Sequence, residues 1–313
     1  MAKKEIDTSH LNAQQFRELV QVQKDVFYFS TFAYVVHPVR GKTRFLLYPY
    51  QKSVLYCFLK HRFNIILKFR QAGITELISL YCLWLTMYHP NKKVNIISIK
   101  DSVAKKVLKK IKYMYKNLPE HLKVPIVNGR MGELGTASMI EFINGSFIES
   151  IPTSEEAGRS ESLSLLVIDE AAIVRWASTI WAAAAPAIST GGSAILNSTP
   201  YGISGFYHSK WVEAITDSDS PFHPIRLYWK MHPERDQKWY DTMSKALGPR
   251  RTAQEIDGDF LSSGSTVFDL TDIKAIEDTL SEYPVIETRF NGQLRIMDKP
   301  KQGVRSVSYT HLR

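Results

Sequence analysis

The chain has 313 residues, 44% hydrophobic and 23% charged, which suits a globular protein of one large domain or two with a full core. Its net charge of +9 and pI near 9.3 favour a polyanionic partner such as nucleic acid. No stretch approaches the ~20 apolar residues of a membrane span, and Met1-Ala-Lys-Lys-Glu lacks a following apolar region, so a cytoplasmic protein without a membrane partner is expected. Cys57 and Cys82 have no His or Cys at metal-ligand spacing and read as reduced core residues rather than a disulfide or zinc framework.

In chain order, residues 1–30 turn from polar to aromatic and predict a helical N-terminal segment. The run Phe27-Tyr28-Phe29 with Phe32 and Tyr34 reads as core packing rather than a base-stacking platform. A short apolar strand over 63–68 leads into the turn Arg70-Gln71-Ala72-Gly73, and 75–88 follows with helical spacing until Pro90. A second strand spans 94–99, a very basic helix 102–116, and a hairpin 139–151 turns at Asn144-Gly145. A strand over 164–169, an alanine-rich helix near 177–188 and a strand over 194–197 complete the pattern. Strands alternating with helices predict an α/β fold with a mostly parallel sheet and helices on both faces. The expected organisation is a helical segment at 1–34, a compact domain at 35–265 and a linker at 266–313, where Asn291-Gly292, Pro300 and Gly303 loosen the pattern.

Two local patterns carry chemistry. Leu165-Leu166-Val167-Ile168 runs straight into Asp169-Glu170. A sheet interior does not tolerate two unpaired acids, so they belong at the strand's C-terminal edge, where open α/β sheets bind ligands. In P-loop ATPases one acid at that edge holds Mg2+ and the next orients the attacking water. A charged turn ending an ordinary strand is the alternative. The second pattern is Lys68-Phe69-Arg70-Gln71-Ala72-Gly73-Ile74-Thr75, laid over the phosphate-loop frame G-x-x-x-x-G-K-S/T. The second glycine and the hydroxyl are in place, but Ile74 stands for the usual lysine and Lys68 for the first glycine. The chemistry requires a cation that reaches the phosphates, which Lys68 supplies from the front of the loop, with the forked guanidinium of Arg70 as a second.

The loop, the strand ending Asp169-Glu170 and the later Asn197-Ser198-Thr199-Pro200 together resemble the ATPase domain of the terminase large subunit, the DNA-packaging motor of tailed bacteriophages. Some members of that family carry the loop lysine at the first position, as here. Tyr48-Pro49-Tyr50-Gln51 is similar to the family's adenine-recognising glutamine segment, and Ala253-Gln254-Glu255 through Phe260 to the end of its ATPase domain. The resemblance covers roughly residues 25–300 and implies a P-loop NTPase fold of the RecA/ASCE type.

The resemblance implies ATP and Mg2+ as cofactors, with Thr75 and Asp169 at the metal and Glu170 polarising the water. It places the nucleotide on Lys68, Arg70, Gln71, Ala72, Gly73, Ile74 and Thr75. Gln51 would read the adenine edge, with a surface Gln at a helix start as the alternative. Ser198 and Thr199 would sense the γ-phosphate, although Ser-Thr-Pro is also an ordinary strand-end turn. Arg159, in Gly158-Arg159-Ser160, stands where some terminases carry an arginine finger acting on the neighbouring subunit; Arg70 is the competing finger, acting within its own subunit.

Lys100, Lys105, Lys106, Lys109, Lys110, Lys112 and Lys116 concentrate cations on one segment, with 105, 109, 112 and 116 on one helical face. Terminases push on the phosphate backbone of double-stranded DNA, which needs cations rather than base-reading side chains; a solubilising face is the plainer alternative. Implied partners are a portal protein, a small terminase subunit and further copies in a ring on the portal, within the host cytoplasm. The family's C-terminal nuclease would begin just after a turn like Gly303-Val304-Arg305. Here Ser306 to Arg313 follow instead, so a chain truncated at that point, with foreign final residues and no cutting activity, is expected. The rival readings are a helicase-like or remodelling ATPase and a non-hydrolysing nucleotide- or DNA-binding module.

Overall fold

A computed structural model describes residues 8–129, 134–154, 157 and 162–261, with the backbone of 287–290 and 293–296. The chain opens with α1 (Ala13–Lys24), started by a capping box between Asn12 and Gln15, and α2 (Val26–Ser30). A small hairpin follows, β1 (Tyr34–His37) with β2 (Gly41–Arg44), then α3 (Pro49–Lys60). β3 (Phe63–Leu67), α4 (Ile74–Tyr88), β4 (Lys93–Ile97) and α5 (Asp101–Lys116) form the first crossovers. Next come β5 (Met139–Glu141), β6 (Phe147–Ser150), β7 (Leu165–Asp169), α6 (Ala177–Ser189) and β8 (Ser193–Ser198). α7 (Phe206–Thr216), β9 (Phe222–Arg226) and α8 (Gln237–Leu247) complete the series. Beyond it, Glu287–Phe290 pairs antiparallel with Gln293–Ile296.

The main sheet has seven strands in the order β5-β6-β4-β7-β8-β3-β9, parallel except for the β5–β6 hairpin. The strand period of two sends alternate side chains to opposite layers. On β7, Leu165 and Val167 join the core under α1 to α5, whereas Leu166 and Ile168 join the core under α6 and α7. All four are fully buried, which stabilises the fold by about 1.5–3 kcal/mol each. The expected α/β sheet with helices on both faces is what the chain forms.

Leu19, Val22, Val26 and Phe29 share the core of α4 and α5, so the first two helices are packed into the sheet's own layer. Cys82 is buried, Cys57 half-buried, and both are free. The sequence reading did not anticipate β1, β2, α7, β9 or α8. β9 contains Pro224, which reads as a strand breaker; it is tolerated because β9 is an edge strand. Among the described residues no helix is long and apolar enough to cross a membrane.

Candidate active site

β8 lies between β3 and β7, so the loop after β3 and the acids after β7 face each other across one strand, roughly 10 Å apart by ordinary strand spacing. The long side chain of Lys68 bridges that gap. Its Nζ stands 2.8 Å from Glu170 Oε1, with the two side chains 7% and 26% exposed. Lys68 N–H donates to the Ser198 carbonyl at 3.0 Å, extending the β3–β8 ladder by one step.

The loop then leaves the sheet. Gln71 adopts φ +61° and Gly73 φ +70°, the left-handed region. A Cβ on Gly73 would lie 2.6 Å from Gln51 Nε2, so the conformation favours glycine and any larger residue would displace the Gln51 amide. Gly73 caps α4 without any side-chain hydrogen bond, which leaves the first N–H groups of that helix open to an anion. The Ile74 side chain is buried in the core, so only its backbone faces the loop. The Ala72 carbonyl accepts from Tyr50 Oη at 2.8 Å and from Gln51 Nε2 at 3.3 Å. Gln51 is 2% exposed, and its Oε1 accepts the Tyr48 N–H at 3.0 Å. It therefore sits in the first turn of α3 as a buried brace of the loop, and is not a surface residue.

Asp169, 4% exposed, accepts the Thr75 hydroxyl at 3.2–3.3 Å and Asn197 Nδ2 at 2.6 Å. Burial raises its pKa above the usual carboxylate value, opposed by the nearby Lys68 ammonium. Thr75 and Asp169 put a hydroxyl and a carboxylate side by side, a hard oxygen donor set that fits Mg2+ completed by phosphate and water. Glu170 has φ +56°, and strained backbone at a non-glycine residue is characteristic of functional sites. Ser198 Oγ accepts the Ala172 N–H at 3.2 Å, and Thr199 is buried behind it.

Lys68, Thr75, Asp169, Glu170 and Ser198 are thus brought to one sheet edge. Arg70 is turned outward: 67% exposed, it donates through Nη1 to Glu255 Oε2 at 3.2 Å, and its N–H donates to the Glu255 carbonyl at 2.7 Å. Arg159 lies outside the described residues. Two participants were missed in the sequence. Asn197 carried a faint signal, an amide at the end of an apolar strand; Arg235, which donates to the carbonyls of Arg70 and Gln71, carried none.

No protein-family model matches the chain. Its fold matches an arginine-to-alanine mutant of the large terminase ATPase domain of Thermus phage P74-26, at TM-score 0.54 and 18% identity, over 69% of this chain and 95% of that one. It also matches the large terminase of bacteriophage HK97, at TM-score 0.59 and 16% identity, over 86% of this chain and 60% of that one. A third likeness is the large terminase of a thermophilic bacteriophage in complex with ADP, at TM-score 0.56 and 12% identity, covering 69% and 54%. The same protein is known in complex with ATP-gamma-S.

The fold is that of the terminase ATPase domain. Within it, the loop 68–75, Asp169-Glu170 and Ser198 lie at the C-terminal ends of β3, β7 and β8.

Proposed function

We propose that this chain hydrolyses ATP and that the work drives double-stranded DNA into a viral procapsid. The observation that carries the reading is the convergence of Lys68, Thr75, Asp169 and Glu170 beside the uncapped N-terminus of α4. The nucleotide-bound state of a protein of the same fold supports it. Thr75 and Asp169 would hold Mg2+, which would supply the positive charge that phosphoryl transfer needs. Asn197 keeps the Asp169 carboxylate turned toward Thr75. Incoming phosphates compete for Lys68, and Glu170 released from that pair polarises the attacking water. Gln51 would read the adenine edge, and Ser198 and Thr199 would sense the γ-phosphate. The finger is Arg159 acting across subunits or Arg70 acting within its own.

The domain proposed to do this spans 35–265, with the helices of 1–34 packed on its core and a linker after it. DNA would meet Lys100, Lys106, Lys109 and Lys116, the exposed cations of α5 and its start. The remaining lysines have partners within the chain. Lys105 pairs with Asp101 at 2.6 Å, Lys110 pairs with Glu76, and Lys112 donates to the Thr136 carbonyl. Of these partners only Glu76 belongs to α4; Asp101 lies on α5 itself and Thr136 in the loop before β5. Portal protein, small terminase subunit and further copies in a ring are the proposed partners, in the host cytoplasm.

The test is ATP turnover against protein concentration for the parent, Lys68→Ala, Arg70→Ala, Arg159→Ala and Glu170→Gln. Glu170→Gln is expected to lower turnover by about 10²–10⁴-fold, the usual contribution of a positioned proton acceptor. Lys68→Ala is expected to lose ATP binding. Parental rates for either variant would sink the reading.

A further inference from the structure

A backbone loop that aims its N–H groups at an anion aims its carbonyls the other way, and those carbonyls need donors of their own. In this loop a single side chain serves two of them. Arg235 Nη1 donates to the Arg70 carbonyl at 3.1 Å and Nη2 to the Gln71 carbonyl at 3.2 Å. The guanidinium is also held between two rings, 4.7 Å from the centroid of Phe69 and 4.3 Å from that of Trp239. Trp239 is fixed in turn by the cap of α8, where Asp236 Oδ1 accepts its N–H at 2.7 Å. Arg235 thus engages the loop through its carbonyls, and it has the planar fork that two neighbouring carbonyls require.

Its target is the strained part of the loop. Gln71 holds φ +61°, a conformation that a non-glycine residue keeps only when its surroundings enforce it. The bond to the Gln71 carbonyl is such an enforcement, and the Tyr50 and Gln51 bonds to Ala72 fix the next carbonyl along. We infer that Arg235 is a positioning residue for the phosphate loop: by holding the Arg70 and Gln71 carbonyls outward it presets the N–H groups of residues 71–75 for the phosphates of a nucleoside triphosphate, without touching the nucleotide. The inference rests on the ATPase reading for its ligand, and on the loop geometry for everything else.

The test compares the parent with Arg235→Lys and Arg235→Ala. Arg235→Lys keeps the charge and loses the fork, so it separates positioning from bulk electrostatics. At saturating ATP, when the phosphates protect them, the amides of residues 71–75 are expected to exchange about tenfold faster in Arg235→Lys than in the parent, the factor that one lost hydrogen bond corresponds to. Exchange in β3, β7 and β8 should be unchanged. With ATP, KM is expected to rise about tenfold while kcat changes by less than about threefold, the pattern of a loss shared by ground and transition states. Parental loop exchange and parental KM in Arg235→Lys would overturn the inference. So would faster exchange throughout the sheet in both variants, which would make Arg235 a general staple of the fold. A parent that does not bind ATP removes the ATPase reading and the assigned ligand. A parent that binds ATP, with Arg235→Lys indistinguishable from it, removes the role of Arg235 alone.

Discussion

Lys68 and Glu170, separated by 102 positions in the chain, meet with Nζ 2.8 Å from Oε1 at the edge of the sheet. The ammonium is nearly buried and the carboxylate partly so, which makes the pair asymmetric. Loss of Glu170 leaves a buried charge without its partner, and such a group costs stability unless a new anion takes its place. ATP is that anion in the proposed function. Glu170→Gln is therefore expected to be less stable than the parent without nucleotide and to gain more thermal stability from ATP than the parent does. Paired melting curves with and without ATP check this; an equal ATP-dependent shift in both proteins would count against it.

Asn197 sets the orientation of Asp169 through a 2.6 Å hydrogen bond across the β7–β8 register. Partners of this kind commonly tune metal affinity by 10–100-fold. Asn197→Ala is expected to raise the Mg2+ concentration for half-maximal ATP turnover by about tenfold, with little change in nucleotide binding without metal. A Mg2+ titration indistinguishable from the parent would refute the role.

Gly73→Ala meets two obstacles at once, φ +70° and a 2.6 Å approach to Gln51 Nε2. The left-handed conformation alone costs a residue with a Cβ about 1–2 kcal/mol. The double variant Gln51→Ala with Gly73→Ala removes the clash and leaves the conformational cost. Urea unfolding should place the double variant's Gly73 effect below that of the single one, and a larger loss in the Gln51→Ala background would show the clash is unimportant.

Asp257 supplies a pH-dependent prediction away from the acids. It accepts the Tyr240 hydroxyl at 3.0 Å, and burial pushes its pKa up to about 6. A carboxyl whose folded pKa is raised favours the protonated form on folding. Its stabilising contribution is complete below the ordinary value of 3.8 and is lost as pH rises through about 6. Asp257→Asn is expected to be more stable than the parent above pH 7 by about 1–2 kcal/mol, reduced from the full shift because the group is partly solvated. The two should converge near pH 4. Urea midpoints at pH 4, 6 and 8 check it, and a constant difference would exclude Asp257 as the source.

Wherever one short segment contains its own explanation, the sequence was readable. Leu165 to Glu170 is a strand and its terminus, and Lys68 to Thr75 is a strand end, a turn and a helix start, so both could be placed from local pattern alone. β9 was hidden because Pro224 is acceptable only at a sheet edge, and edge position is a property of the whole topology. The polar run Gly41-Lys42-Thr43-Arg44 shows little strand character, because β2 pairs only with β1 and has little to bury. Arg235 and Glu255 reach the loop from 164 to 185 positions away, and no spacing rule joins them to Arg70 and Gln71. Helical periodicity likewise says which lysines of α5 share a face but not that Asp101 and Thr136 would engage Lys105 and Lys112.

Ser198 touches both sides of the divide, its carbonyl on the Lys68 N–H and its hydroxyl on the Ala172 N–H. A crosspiece so tied cannot follow one neighbour without pulling on the other. Ser198 thus adds one tie on each side to the β3–β8 and β7–β8 ladders that already hold the two banks of the cleft together.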